Sequence, residues 1–272
     1  PGSRNERAGV TSDRQIARGL LDALEEGRAA VMATVVDTHR SVPRHAGARM
    51  LVVDDGRQLG TIGGGEMEAR VRAAAPDVLA SGRPTRLDFD LIDPARGDPG
   101  VCGGSMTVHL EPFMPQPHLV VIGCGHVGVA VVELAHWLGF RVTAVDDRSD
   151  VADPQRLADA DTILEGPLDE CAQKAGIDDG THVVLLTRNS AVDAEVLPVV
   201  LDSSARSIGV MGSARRWSTT RAALAEAGLG DDQLDRVTSP IGLDIAAEDP
   251  AEIALSIMSQ IVELRHRELS AG

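Results

Sequence analysis

The 272-residue sequence predicts an α/β protein in two parts. Residues 1–113 read as a mixed α+β domain, and residues 118–272 as a Rossmann-like domain with a doubly wound parallel sheet. Three observations carry this. Gly123-Cys124-Gly125-His126-Val127-Gly128 follows an apolar strand pattern and opens a helical one, with Asp146 closing the next strand, which is the context of a dinucleotide fingerprint. The strands of the second half are continuous apolar runs, as a parallel sheet covered on both faces requires. Between the halves stands "PFMPQPH" (112–118), with three prolines in seven residues, which reads as a linker.

The elements follow in order. "SDRQIARGLLDALEEG" (12–27) puts Ile16, Leu20, Leu21 and Leu24 on one helical stripe, with Ser12 or Asp13 as cap and Gly27 as stop. "AAVMATVVD" (29–37) is a strand, and "ARMLVVDDGRQLGTI" (48–62) a hairpin turning at Asp55-Gly56. Gly63-Gly64-Gly65 then turns the chain into a helix that runs to about Gly82. "TRLDFDL" and "SMTVHLEP" complete the first half as strands. The second half runs strand, glycine turn, helix and strand over 118–148. "HVVLLT" (182–187) and "RSIGVMG" (206–212) add two buried strands, each followed by helical sequence.

Composition narrows the function. A net charge of −15, with three Phe, two Trp and no Tyr, leaves neither the basic face nor the stacking surface of a nucleic-acid binder. Lys174 is the sole lysine, so Schiff-base chemistry has one candidate. Lack of tyrosine removes the short-chain dehydrogenase mechanism. No apolar run is long enough to span a bilayer and no signal peptide opens the chain, so no membrane association is expected. Three cysteines without paired spacing point to a reducing, cytoplasmic setting. No His-x-x-x-His or Cys-x-x-Cys spacing suggests zinc. Cys124 and Cys171 read as small buried residues, and no catalytic acid–base is identifiable.

Cys102-Gly103-Gly104 is the most unusual stretch. Two glycines weaken the approach to a strand but leave a thiol unobstructed, at the end of a loop that reads as exposed. "SVPRHAGARM" (41–50) offers Arg44, His45 and Arg49 beside a proline and a glycine, while Gly63, Gly64 and Gly65 offer backbone amides ahead of Glu66. Structural turns explain these glycines equally well. In the second half, Gly123, Gly125 and Gly128 would cradle a pyrophosphate at a helix start, and Asp146 a ribose. Ser213 caps a helix whose first turn holds Arg215 and Arg216. Two cations there oppose the macrodipole and suit a bound anion.

In "ATVVDTHRSVPRHAGARMLV", "GTIGGGEME", "VCGGSMTVHLEP", "VVIGCGHVGVAVVELAHWLGFRVTAVDDR", "VMGSARR" and "PIGLDIAAEDPAEIALSI", taken in order, the chain resembles the XdhC/CoxI family over nearly its whole length. These are accessory factors of xanthine dehydrogenase and related molybdenum hydroxylases. The resemblance implies a chaperone, rather than a catalyst, that binds a molybdopterin-type molybdenum cofactor, protects it during sulfuration and delivers it to the apo-hydroxylase. A cysteine desulfurase and a second copy of the chain are further candidate partners. Joined to the unobstructed thiol, it points to Cys102 as a metal ligand or its close neighbour, with Arg44 and Glu66 as companions, against the plainer reading of a small buried residue before a strand. Part of the family has cysteine where Glu66 stands, so no thiol acts there. An NAD(P)-dependent oxidoreductase, or a nucleotide-sensing module built on the second half, remains the alternative.

Overall fold

The structure is a computed structural model and describes residues 12–91 and 103–271. The chain divides into two compact units, residues 1–115 with 267–272, and residues 116–266.

In the first unit, α1 (Asp13–Glu25) begins at a capping box. The Ser12 hydroxyl accepts from the Gln15 N–H at 3.3 Å, and Gln15 Oε1 accepts from the Ser12 N–H at 2.7 Å. Ile16 and Ala23 face inward, and Gly19 lets the helix approach closely, since a Cβ there would lie 2.1 Å from Leu59 Cδ1. Leu21, placed on the buried stripe by the sequence pattern, is 54% exposed. At 100° per residue it turns away from the face centred on Ile16, Gly19 and Ala23.

Strands β1 (Ala30–His39), β2 (Arg49–Val53) and β3 (Gln58–Gly60) precede α2 (Gly65–Ser81), β4 (Thr85–Asp90) and β5 (Ser105–Phe113). The β2–β3 hairpin turns through Gly56 at φ +89°, as its Asp-Gly signal predicts. The antiparallel sheet has the order β3-β2-β1-β5-β4. Val31, Val35, Met50, Val71, Phe89 and Val108 form its core with α2. The β1–β5 register shifts between Val35 and Asp37, a bulge beyond which β1 pairs with β5 alone. The chain then makes an excursion closed at its base by the Val35 N–H to Ala48 O (2.9 Å) and the Gly47 N–H to Val35 O (2.8 Å).

The second unit holds β6 (His118–Ile122), α3 (His126–Trp137), β7 (Arg141–Asp146), β8 (Thr162–Glu165), α4 (Leu168–Lys174) and β9 (Thr181–Leu185). It continues through α5 (Ser190–Asp202), β10 (Ser207–Val210), α6 (Ala214–Glu226), α7 (Asp231–Leu234), β11 (Val237–Thr238) and α8 (Pro250–Ala271), of which residues 250–266 belong to this unit. The sheet is parallel, in the order β11-β10-β9-β6-β7-β8. The chain winds outward from β6 to β8, returns to β9 and winds the other way. The doubly wound topology is therefore present, with its switch point between β6 and β9. Separate apolar clusters cover the two faces. One includes Leu168, Val196, Leu197 and Leu224, the other Val131, Ala135, Ile257 and Ile261. Among the described residues no helix is long and apolar enough to cross a membrane.

His118 opens the central strand and is 3% exposed. Its ring nitrogens meet the Thr181 hydroxyl at 3.1 Å and the Thr143 hydroxyl at 2.9 Å. Burial, helped by Arg141 against Asp178 and Asp161, lowers its pKa from 6.5 to about 4. The folded state therefore holds the neutral ring, and the unfolded chain takes up the proton first. Stability is complete above pH 6.5 and falls as the pH drops towards 4, by up to about 3 kcal/mol. Urea unfolding across this range should show the loss, and His118→Gln should flatten it.

Candidate functional site

The first unit brings two separate glycine-bearing segments to one loop. Gly104 has no room for a side chain, since a Cβ would lie 2.2 Å from Ser41 O and 2.5 Å from His39 O. Leu91 donates its N–H to Gly104 O at 2.9 Å, and Gly103 donates to Leu91 O at 3.3 Å. Gly103 itself has φ +70° and open space where a Cβ would stand. On the other side of the loop, a Cβ on Gly63 (φ +136°) would lie 2.8 Å from Pro43 Cγ and 2.6 Å from Met67 Cε. Residues 39–43 are thus held between Gly104 and Gly63. Arg44, next in line, is half-buried, and no hydrogen bond or ion pair engages its guanidinium among the described residues. Cys102 lies outside the described residues, one peptide bond from Gly103.

The carboxylate that organises the triple-glycine turn is Glu68, which the sequence reading passed over for Glu66. Glu68 accepts from the Gly64 N–H at 2.9 Å, the Ile62 N–H at 3.3 Å, the Thr61 hydroxyl at 2.5 Å and Gln58 Nε2 at 3.0 Å. Burial works to raise its pKa, but these donors hold it below the usual carboxylate range. An acidic residue in the first turn facing the N-cap amide was the available signal. Glu66 is exposed on the same turn. Gly64 (φ +82°) is open on its Cβ side, and Gly65 (φ +59°) begins the helix, whose first N–H groups have no partner within it.

In the second unit the three fingerprint glycines have different reasons to lack a side chain. A Cβ on Gly123 (φ +98°) would lie 2.8 Å from Leu186 C and O, and one on Gly128 would lie 2.2 Å from Gly123 O. Both are demanded by the fold. Gly125, the N-cap of α3 at φ −65°, meets nothing within 4 Å. The fold itself does not demand a glycine there; open backbone at a helix start is what a pyrophosphate would need. Asp146 is 1% exposed and saturated. Oδ2 accepts from the Cys124 N–H at 2.7 Å and Arg148 Nη2 at 2.9 Å, and Oδ1 from the Arg148 N–H at 3.0 Å and Nε at 2.9 Å.

A concavity of about 390 Å³ lies between the starts of α5 and α6, lined by Arg188, Asn189, Ser213, Arg215 and Arg216 among others. Ser213 caps α6, accepting from the Arg216 N–H at 3.2 Å. The two arginines predicted together part company here. Arg215 is exposed, with no hydrogen bond or ion pair to its side chain among the described residues. Arg216 turns inward to fully buried Asp193, with Nε and Nη2 at 2.9 and 2.6 Å, and reaches the Thr187 carbonyl at 3.1 Å. Thr187 completes the group with a short hydrogen bond from its hydroxyl to Asp193. Gly212 makes room for this path, since a Cβ there would lie 2.8 Å from Arg216 Cδ.

Cys124 is fully buried, its thiol pushed up to about 12 by burial and then by Asp146, and Cys171 is buried with its pKa raised by burial. Neither presents a thiolate near neutral pH. A maleimide added to the folded protein should therefore spare Cys124 and Cys171 and modify them only after unfolding, as read by mass spectrometry. Among the described residues, no group of three or more His, Cys, Asp and Glu is placed to hold a metal ion.

The chain matches two family models, the XdhC Rossmann domain over residues 119–261 and the XdhC and CoxI family over residues 23–90. It is 32% identical over 240 residues to the uncharacterized protein YqeB of Escherichia coli K12, covering 86% of this chain but 43% of YqeB's length. It is 27% identical to the molybdenum cofactor insertion chaperone PaoD of the same organism, over 97% of this chain and 92% of PaoD. A crystal structure described as a xanthine dehydrogenase from Bacillus halodurans shares the fold, with a TM-score of 0.51 at 24% identity, over 92% of this chain and 95% of the other.

Proposed function

The chain belongs to the XdhC and CoxI family, and from that premise we propose that it binds a molybdopterin-type cofactor and hands it to a molybdenum hydroxylase of the xanthine dehydrogenase kind. The observation that carries this reading is the junction in the first unit, where Gly104, residues 39–43 and Gly63 pack into one loop cluster beside Arg44. PaoD, a molybdenum cofactor insertion chaperone that aligns with almost the whole chain, points the same way.

The residues present suit such a group. Its phosphate needs a cation, and Arg44 has no hydrogen bond or ion pair to its guanidinium among the described residues. Its flat ring system needs backbone without side chains, and Gly64 and Gly103 are bare and open. Glu68 holds the triple-glycine turn in place, so the ligand meets a preformed surface. Cys102, adjoining Gly103, would add a soft thiol for a soft metal. The cofactor supplies a molybdenum centre whose sulfuration the hydroxylase needs; the chain's own part is to bind it, orient it and shield it from water until delivery. A cysteine desulfurase is the natural source of that sulfur, and so a second partner.

The test is to purify the protein from a molybdenum-replete host and assay it for pterin, metal and nicotinamide. Pterin and molybdenum should appear together. Nicotinamide without pterin would overturn the reading.

A further inference from the structure

Two ion pairs lie over the glycine turn of the second unit. Asp147 and Arg188 stand just past the ends of β7 and β9, the two strands that flank β6. Their bond is bidentate, Nη1 to Oδ1 at 2.8 Å and Nη2 to Oδ2 at 2.7 Å. It therefore spans the end of the strand that carries Gly123. Its feet adjoin the turn on both sides: the space of a Gly123 Cβ is filled by Leu186 and the Thr187 N, and the Asp146 carboxylate holds the Cys124 N–H. The second pair is Arg148 on Asp146, which leaves neither carboxylate oxygen open to a ribose. In a sheet of this order a ligand enters over the strand ends at the switch point, which is where these pairs lie.

We propose that the two pairs form a strap that closes the nucleotide crevice from within, and that it yields to a nucleotide carrying a phosphate on its adenosine ribose rather than to one with a free ribose. To reach Asp146 a ribose hydroxyl must displace Arg148 and offers a neutral group in exchange. A ribose phosphate offers Arg148 a dianion with the same bidentate geometry. Arg188, half-exposed and released from Asp147, then faces the pyrophosphate bound at Gly125. Both arginines stay paired with an anion throughout, while Asp146 keeps the Cys124 N–H and Asp147, with 30% of its side chain in solvent, is rehydrated. This inference concerns the second unit alone and stands apart from cofactor binding in the first, so either can fail without the other.

The experiment is calorimetric titration of the full chain with NADP⁺ and NAD⁺, with melting temperatures as a control on folding. NADP⁺ should bind about fivefold more tightly than NAD⁺, the upper worth of one half-exposed ion pair. Asp147→Asn frees Arg188 and should tighten NADP⁺ binding by a similar factor. Arg148→Gln should abolish the preference by weakening NADP⁺ and strengthening NAD⁺. Equal affinity for the two nucleotides, a preference for NAD⁺, or no heat from either with both wild type and Asp147→Asn at millimolar ligand would overturn the proposal.

Discussion

Asp193→Asn is expected to destabilise the second unit by about 3 kcal/mol, the largest loss anticipated from any single polar substitution here. Asp193 is fully buried, and its carboxylate receives the Arg216 guanidinium and the Thr187 hydroxyl. Breaking a buried pair by removing one partner typically costs about 3–5 kcal/mol, because the remaining charge is left uncompensated. Arg216 keeps 20% of its side chain in solvent, which places the expectation at the lower end. Trp217 packs beside the same core and reports the transition by fluorescence in urea. Arg215→Ala should leave that transition unmoved, since Arg215 is exposed and its side chain has no described partner. A small effect of Asp193→Asn would mean that the ion pair is replaceable by water.

Cys102→Ser is expected to leave the melting curve unchanged and to lower activation of the apo-hydroxylase by about tenfold or more, the range over which a lost metal ligand or its support changes metal affinity. Gly103 and Gly104 are themselves held by backbone contacts, to Leu91, Ser41 and His39. Serine preserves size while removing the soft ligand, so a fold that survives with delivery impaired isolates the chemistry of sulfur. Full activation by Cys102→Ser would assign delivery to the rest of the cluster and leave the thiol without a part in it.

Much of the second unit was legible because its signals are local. A glycine fingerprint between a buried strand and a helix specifies a turn, and continuous apolar strands specify a covered parallel sheet. The capping of α1 and the Asp-Gly hairpin were legible for the same reason. The edge strand β8 was not: "TILE" (162–165) is short and mostly solvent-facing, with no alternation to mark it. The ion pairs escaped for a different reason. Asp193 and Arg216 lie 23 residues apart, and Asp147 and Arg188 lie 41 apart, so only the strand order brings them together. The same holds for the first unit. The segments at 39–43 and 103–104 meet because β5 pairs with β1, a pairing that no local pattern encodes.

The central claim is that the first unit, through its loop cluster, holds the molybdenum cofactor. The measurement that tests it most directly is the molybdenum-to-protein ratio of wild type, Arg44→Ala and Arg215→Ala, each purified identically from a molybdenum-replete host. Arg44→Ala removes a cation beside Pro43, and Arg215→Ala a cation in the concavity of the second unit, each without a partner among the described residues. The account predicts metal in the wild type, a loss of most of it in Arg44→Ala and little change in Arg215→Ala. Retention by Arg44→Ala together with loss by Arg215→Ala would contradict it and move the cofactor to the second unit.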